Sequence, residues 1–177
     1  MNSERYTIRH GQTTDIALLP AIEAKAAKLY LSVLEETGLT ANILERTSTI
    51  ADFSMAQAAG LLFVAVDDSN VPVGFALLEE IDEWLHLDEL DVEPKHGRKG
   101  IGAALLAQVC TWAAKAGYSG VTLSTFRDVA WNAPFYAKHG FVILEEEMWT
   151  LGLRTQVNEE RLRGLRMDRR VVMLYRC

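Results

Sequence analysis

Gly97, Arg98, Lys99, Gly100 and Gly102 stand between a segment that reads as a strand and one that reads as a helix. A helix opens with backbone N–H groups that lack an internal acceptor, and its macrodipole puts partial positive charge at that end. Glycines there carry no Cβ, so an anion can approach the main chain closely. Arg98 and Lys99 add two positive charges. The chemistry this suits is phosphate binding; a solvated basic turn is the alternative. The spacing G-x-x-G-x-G is not the G-x-G-x-x-G of a dinucleotide fold, and no Lys-Ser or Lys-Thr follows the glycines as in a P-loop. Just upstream lie His86, Asp88, Glu89 and Asp91, a concentration of proton-exchanging groups on one strand. In a regular strand His86, Asp88, Leu90 and Val92 share one face, and Leu87, Glu89 and Asp91 the other. A bulge would bring Glu89 across.

These groups need positioning elements. Leu85–Val92 reads as a strand ending before Pro94, which cannot donate to a ladder. From Ile101 the apolar period becomes helical through Ala104, Leu105, Val109, Trp112, Ala113 and Ala116, with Gly117 as C-cap. Before this unit, Arg5–His10 reads as a strand with Tyr6 and Ile8 on one face. Asp15–Glu36 reads as a helix, with Pro20 either in its first turn or at a kink. A short helix is expected over Ala41–Arg46, and another up to Gly60 with Ser54 and Gln57 as a capping box. Leu61–Val66 and Val71–Ile81 form a β-hairpin about the polar turn Asp67–Asn70. Glu79, Glu80, Asp82 and Glu83 make an acidic cluster, either a solvated hairpin tip or a rim that attracts an amine. Beyond Gly117 come a strand over Tyr118–Thr125, a short helix over Asn132–His139, and a strand from Phe141 to about Trp149. A helix over Thr155–Leu165 and a final strand over Arg170–Arg176 complete the order. The basic tail EERLRGLRMDRR reads as amphipathic helix and turn. The fold class is α/β with mixed α+β character: a mostly antiparallel mixed sheet of about seven strands flanked by helices.

The chain has 177 residues, 49% of them hydrophobic, enough for one domain over 1–177 with a real core. A net charge of −6 argues against a general nucleic-acid or anionic-membrane binder and leans toward a cationic or neutral substrate. MNSERYTIRH lacks the apolar core of a signal peptide, and no apolar run reaches membrane-spanning length. The default is therefore a cytoplasmic protein. Cys110 and Cys177 have neither metal nor redox spacing, and the four histidines are scattered, so no metal is expected.

Val92, Pro94, Gly100-Ile-Gly102 and Ala-Ala-Leu-Leu after them resemble motif A of the GNAT superfamily of N-acetyltransferases. Gly97 stands where that family usually has Arg or Gln, with Arg98 one place later as the displaced pyrophosphate ligand. Phe135-Tyr136-Ala-Lys-His-Gly140-Phe141 resembles motif B. Its usual Asn is replaced by Val129, and the available amide is Asn132, which also suits an N-cap before Ala-Pro. The element order is likewise that of the family, whose sheet splays between the strands preceding the two motifs.

The resemblance implies acetyl-CoA as cosubstrate and direct transfer to an amine. Cofactor contacts would come from the main chain at Leu90, Asp91 and Val92, from Gly97, Arg98, Lys99, Gly100, Ile101, Gly102 and Ala103, and from Asn132 and Tyr136. Tyr136 would protonate the departing thiolate; a packing aromatic is the alternative. A lysine-like amine costs about 4.6 kcal/mol to deprotonate at pH 7, so a base is wanted. By position His86 is the candidate, with Asp88 and Glu89 beside it to bind a cation, orient it or replace it. A half-buried structural histidine is the alternative for His86, and a solvated strand edge for the carboxylates. Three other readings stay open: a CoA or acyl-CoA-binding sensor or interaction module with little turnover, transfer of a longer acyl chain, and transfer to a hydroxyl. Dimers are common in the family, which leaves a homodimer open.

Overall fold

The computed structural model describes residues 5–177; the first four residues of the segment read as lacking a signal lie outside them. Seven strands form one sheet: β1 Thr7–His10, β2 Leu62–Val66, β3 Pro72–Ile81, β4 Trp84–Val92, β5 Gly120–Phe126, β6 Val142–Ile143 and β7 Arg170–Arg176. Their order is β1-β2-β3-β4-β5-β7-β6. Only the β4–β5 contact is parallel. The helices are α1 Leu19–Ala27, α2 Leu34–Thr37, α3 Ala41–Leu44, α4 Ile50–Ala58, α5 Ile101–Ala116, α6 Ala133–Lys138 and α7 Leu151–Leu162. This is the expected seven-stranded mixed sheet flanked by helices.

α5 carries the main core stripe. Ile101, Leu105, Leu106, Val109 and Ala113 are buried against Leu85 and Leu87 of β4 and Val121 and Leu123 of β5. Each large apolar side chain so buried stabilises the fold by about 1.5–3 kcal/mol. Gly117, at φ +89, ends the helix as a left-handed C-cap.

The long helix expected over Asp15–Glu36 is four pieces. A 3-10 turn at Ile16–Leu18 leads into α1, whose first turn holds Pro20, and a second 3-10 turn at Lys28–Ser32 precedes α2. The second turn winds the chain more tightly than an α-helix. The expected stripe therefore fails at Leu29, which is exposed. The capping box of α4 is Thr49 with Asp52, not Ser54 with Gln57. Ser54 lies inside the helix and donates to the Ile50 carbonyl at 2.7 Å. The strand expected to reach Trp149 stops at Ile143. Glu145, Glu146 and Glu147 turn away, and the Trp149 indole folds back to donate to the Leu144 carbonyl at 2.8 Å. α7 begins four residues before the expected Thr155, capped by Thr150.

Two irregularities position the site. β4 and β5 pair only over Leu85–Leu87 with Val121–Leu123. β4 still pairs with β3 as far as Val92, and β5 with β7 through Phe126. One edge of β4 therefore loses its strand neighbour from Asp88 to Val92, which is the expected splay. The register against β3 also shifts: Leu78 faces Leu87 and Leu77 faces Glu89, leaving Asp88 as the extra residue of a bulge. Cross-strand partners share a face, so His86, Glu89 and Asp91 lie on one side with Glu79 and Leu77. Leu85, Leu87, Leu90 and Val92 lie on the other, under α5. The grouping expected for a regular strand, His86 and Asp88 with Leu90 and Val92, is corrected by this bulge.

Candidate active site in the splay of the sheet

The glycine loop leads directly into α5. Gly100 is the N-cap residue at φ +82, a conformation that strains a side chain, and a Cβ there would meet nothing within 4 Å. The space above the helix end is open, as an approaching anion requires. Ala104 is the first residue to donate back, to the Gly100 carbonyl at 3.0 Å. By helix geometry the N–H groups of Ile101, Gly102 and Ala103 precede the internal ladder. Gly97 has ordinary backbone geometry, φ −61, whereas Arg98 takes φ +58. The glycine and the arginine thus occupy the loop in the order opposite to their backbone needs. Lys99 reaches the Tyr6 hydroxyl at 3.2 Å.

A cavity of about 240 Å³ fills the splay, lined by Tyr136, Tyr30 and Asn132 on one side and by Asp88, Glu89 and Asp91 of β4 on another. It adjoins a wider groove of about 810 Å³, which shares Glu23, Asp88 and Glu89 and adds Asp52 and Glu79. Tyr136 is 8% exposed. Burial, with Tyr30 and Glu89 nearby, pushes its phenol well above the usual range, so the proton stays on oxygen at neutral pH. Its ring is held edge-on by Phe135 and Phe141.

Asn132 does not cap α6 with its side chain. The amide instead pairs with the Tyr30 hydroxyl, the Oδ1 contact being 3.1 Å and the Nδ2 contact 3.0 Å. The expected N-cap role is thus replaced by a clasp across the cavity. Tyr30 was passed over in the sequence, where the stripe ran through Leu29; Leu29 is exposed, and Tyr30, four residues after the buried Ala26, lines the cavity. Burial pushes its phenol up to about 12.

His86 is only 1% exposed. Its Nδ1 lies 2.9 Å from the Thr122 hydroxyl on β5, and it lines neither the cavity nor the groove. Burial, then Arg170, lowers its pKa to about 4, so it is neutral. The carboxylates of β4 are differently placed. Asp88, Glu89 and Asp91 face the cavity, and none has a hydrogen-bond or ion-pair partner among the described residues. Burial and the neighbouring acids raise Glu89 well above the ordinary carboxylate range. Burial and Glu23 raise Asp91 to about 8. Burial also raises Asp88. Glu23 is held by the Ser48 N–H at 2.9 Å, and Arg170 by Glu160 at 3.2 Å. Cys110 is buried and its thiol is pushed up to about 12, unsuited to nucleophilic attack. Among the described residues, no three His, Cys, Asp or Glu side chains are grouped to hold a metal ion, and no helix is long and apolar enough to cross a membrane.

Several solved structures share this architecture. PaiA N-acetyltransferase from Thermoplasma acidophilum, in complex with coenzyme A, superposes with a TM-score of 0.70 at 20% identity, covering 98% of this chain and 99% of that one. N-acetylglutamate synthase from Neisseria gonorrhoeae, complexed with coenzyme A and N-acetyl-glutamate, matches at 0.69 and 18% identity. The match covers 99% of this chain but 36% of the synthase. The ribosomal-protein-S18-alanine N-acetyltransferase from Escherichia coli matches at 0.66 and 18% identity, covering 97% and 94%. At such identities these likenesses speak for the fold. The sequence itself matches the Acetyltransferase (GNAT) family over residues 26–141, most of the chain and both motifs, and the protein belongs to that family.

Proposed function

We propose that this chain is an acetyl-CoA-dependent N-acetyltransferase acting by direct transfer to an amine. The observation that carries the reading is the splay of β4 from β5, with the open N-terminus of α5 at one end and Tyr136 lining the cavity within it. The residues fit the cosubstrate. The unpaired edge of β4 at Leu90, Asp91 and Val92 offers main-chain groups to the pantetheine arm. Gly97, Arg98, Lys99, Gly100, Ile101, Gly102 and Ala103 surround the place for the pyrophosphate. Two relatives were crystallised with coenzyme A, which supports the same ligand here.

In the reaction a neutral amine attacks the thioester carbonyl carbon. The C–N bond forms, the C–S bond breaks, Tyr136 gives its proton to the thiolate, and a base takes the proton released by the amine. We assign that base to Glu89. It faces the cavity without a partner, and burial and the neighbouring acids raise its pKa, making it a stronger base than an ordinary carboxylate. His86, enclosed and in contact with Thr122, reaches neither the cavity nor the groove and is not assigned the base. Asn132, engaged by Tyr30, favours a second reading: a coenzyme A-binding module with little turnover.

A thermal melt tests the cosubstrate. Acetyl-CoA at about a hundred times its dissociation constant stabilises the native state by about 2.7 kcal/mol. That is a rise of roughly 5–10 °C for a chain of this size. No rise removes the acetyltransferase reading. A rise with no acetylated product from any amine leaves the binding module. Glu89→Gln should remove the acidic limb of the pH–rate profile, along which activity climbs as the carboxyl ionises, and His86→Gln should leave that limb in place.

A further inference from the structure

Most buried ionic groups here are matched. Glu23 has the Ser48 N–H, Asp15 has Arg9 at 2.6 Å, Glu93 has Lys25 at 2.6 Å, and Glu160 has Arg170. Four less buried carboxylates that line the groove or cavity differ: Glu79, Asp88, Glu89 and Asp91 form no hydrogen bond or ion pair among the described residues. Glu79 Oε1 is also the single buried side-chain oxygen or nitrogen left without a partner among them. The four are not scattered. Glu79 pairs with His86 across the ladder, and Glu89 and Asp91 follow on the same face beyond the bulged Asp88. The strip runs from the groove, at Glu79 and Asp88, into the cavity, at Glu89 and Asp91. Between the Glu79 and Asp91 positions the sheet advances about 13 Å, at about 3.3 Å per residue pair.

Asp88 is exposed and the other three are half-buried, with Glu79 Oε1 shut off from solvent; carboxylates left this close together without a partner repel one another. A ligand that supplies positive charge at more than one point along the strip relieves that repulsion. A divalent metal does not answer the need, since no metal-holding group of His, Cys, Asp or Glu exists among the described residues. A single ammonium group answers it at one end only. We propose that the groove and cavity together form the acceptor site, and that the acceptor is a linear aliphatic amine with two or more amino groups. This rests on the acetyl-transfer reading above. The terminal amino group enters among Glu89, Asp91 and Tyr136 and is acetylated. The next amino group remains an ammonium ion, held by Glu79 and Asp88 in the groove, and does not react. Glu23 and Asp52 also line the groove, so its acidic groups outnumber the two cations there, Arg46 and Arg163, while Arg46, Arg163 and Arg170 line the cavity. Arg163 is already drawn to Glu159 at 3.6 Å. Burial and Asp88 hold Glu79 at about 7, consistent with a carboxylate awaiting its counter-ion.

The test compares butane-1,4-diamine with butylamine, the same carbon chain carrying one amino group. Binding to the free protein is measured by calorimetry, and turnover with acetyl-CoA by product mass. The diamine should bind at least ten-fold more tightly, and should exceed the monoamine by at least ten-fold in kcat/KM. Raising salt should narrow both gaps. Glu79→Gln, nearly isosteric, and Asp88→Asn should each reduce the diamine-to-monoamine ratio several-fold through KM, with acetyl-CoA affinity kept as evidence of folding. Equal treatment of the two amines, or ratios unmoved in both variants, overturns the proposal. So does acetylation of a peptide or aromatic amine with no response to the diamine. Diamine binding without acetyl-CoA binding would sink the transferase reading while leaving the cation site standing.

Discussion

The two faces of β4 come from nine consecutive residues and do opposite things. Leu85, Leu87, Leu90 and Val92 turn toward α5 and join the core, fixing the helix whose N-terminus meets the open space at Gly100. His86, Glu89 and Asp91 turn the other way, toward α1, the 3-10 turn bearing Tyr30, and the cavity. One face is satisfied by packing. The other holds carboxylates with nothing to pair with. The difference separates two roles: the apolar face sets position, and the acidic face gathers carboxylates without partners, which the proposed amine would supply. The bulge at Asp88 keeps the two sets apart, since without it the regular alternation would put His86 with Val92.

Ways to break this contrast rank by expected size. Tyr136→Phe removes the proton donor and keeps the ring, so kcat should fall about 100-fold or more with acetyl-CoA affinity retained. An unchanged kcat in steady-state assays would return Tyr136 to packing. Leu105→Ala strikes the apolar face. Leu105 is fully buried, so urea denaturation should register a loss of about 3 kcal/mol, while the ratio of diamine to monoamine activity stays put. Gly100→Asp meets no steric obstacle but sets a carboxylate at the anion end of α5, on a backbone that costs about 1–2 kcal/mol for a side chain. Calorimetry should show acetyl-CoA bound about ten-fold more weakly, with amine binding little altered.

The smallest effect is a pH dependence of stability. Glu79 and Asp91 have folded pKa values near 7 and 8, above their ordinary 4.5 and 3.8. A carboxyl whose pKa is raised by folding binds more protons in the native than in the unfolded state. Stability is therefore greatest below the ordinary value and declines as pH rises toward the folded one. Around Glu79 the charges that set this are Asp88 on β4, Glu159 and Glu160 on α7, and Arg163 just after it. Between pH 5 and pH 8 the melting temperature should drop by a few degrees, less in Glu79→Gln. A diamine should sharpen the contrast by restoring the lost degrees.

Much of the frame was legible in the residues. Glycine spacing and the change of apolar period marked the strand–loop–α5 unit. Pro94 and Gly117 marked its neighbours' ends, and Arg170–Arg176 matched its strand to the residue. These features are local, because backbone preference and side-chain periodicity act over a few residues. The site was less legible. Tyr30 and Asn132 are 102 positions apart, and no local pattern announces their clasp. The sequence left His86 open between a base and a half-buried structural histidine, and only Thr122 and the surrounding sheet show it enclosed. The grouping of Glu79 with Glu89 and Asp91 depended on a one-residue register shift, which flips faces without changing composition.

By itself, then, the sequence determined the order of elements, the glycine-rich entrance to α5 and the placing of Tyr136 before Gly140-Phe141, because each rests on short-range chain geometry. The tertiary structure alone decided where β4 leaves β5, which carboxylates share a face and which of them lack partners. Those depend on strand register and on contacts between segments far apart in the chain, where burial sets the protonation of every group it surrounds.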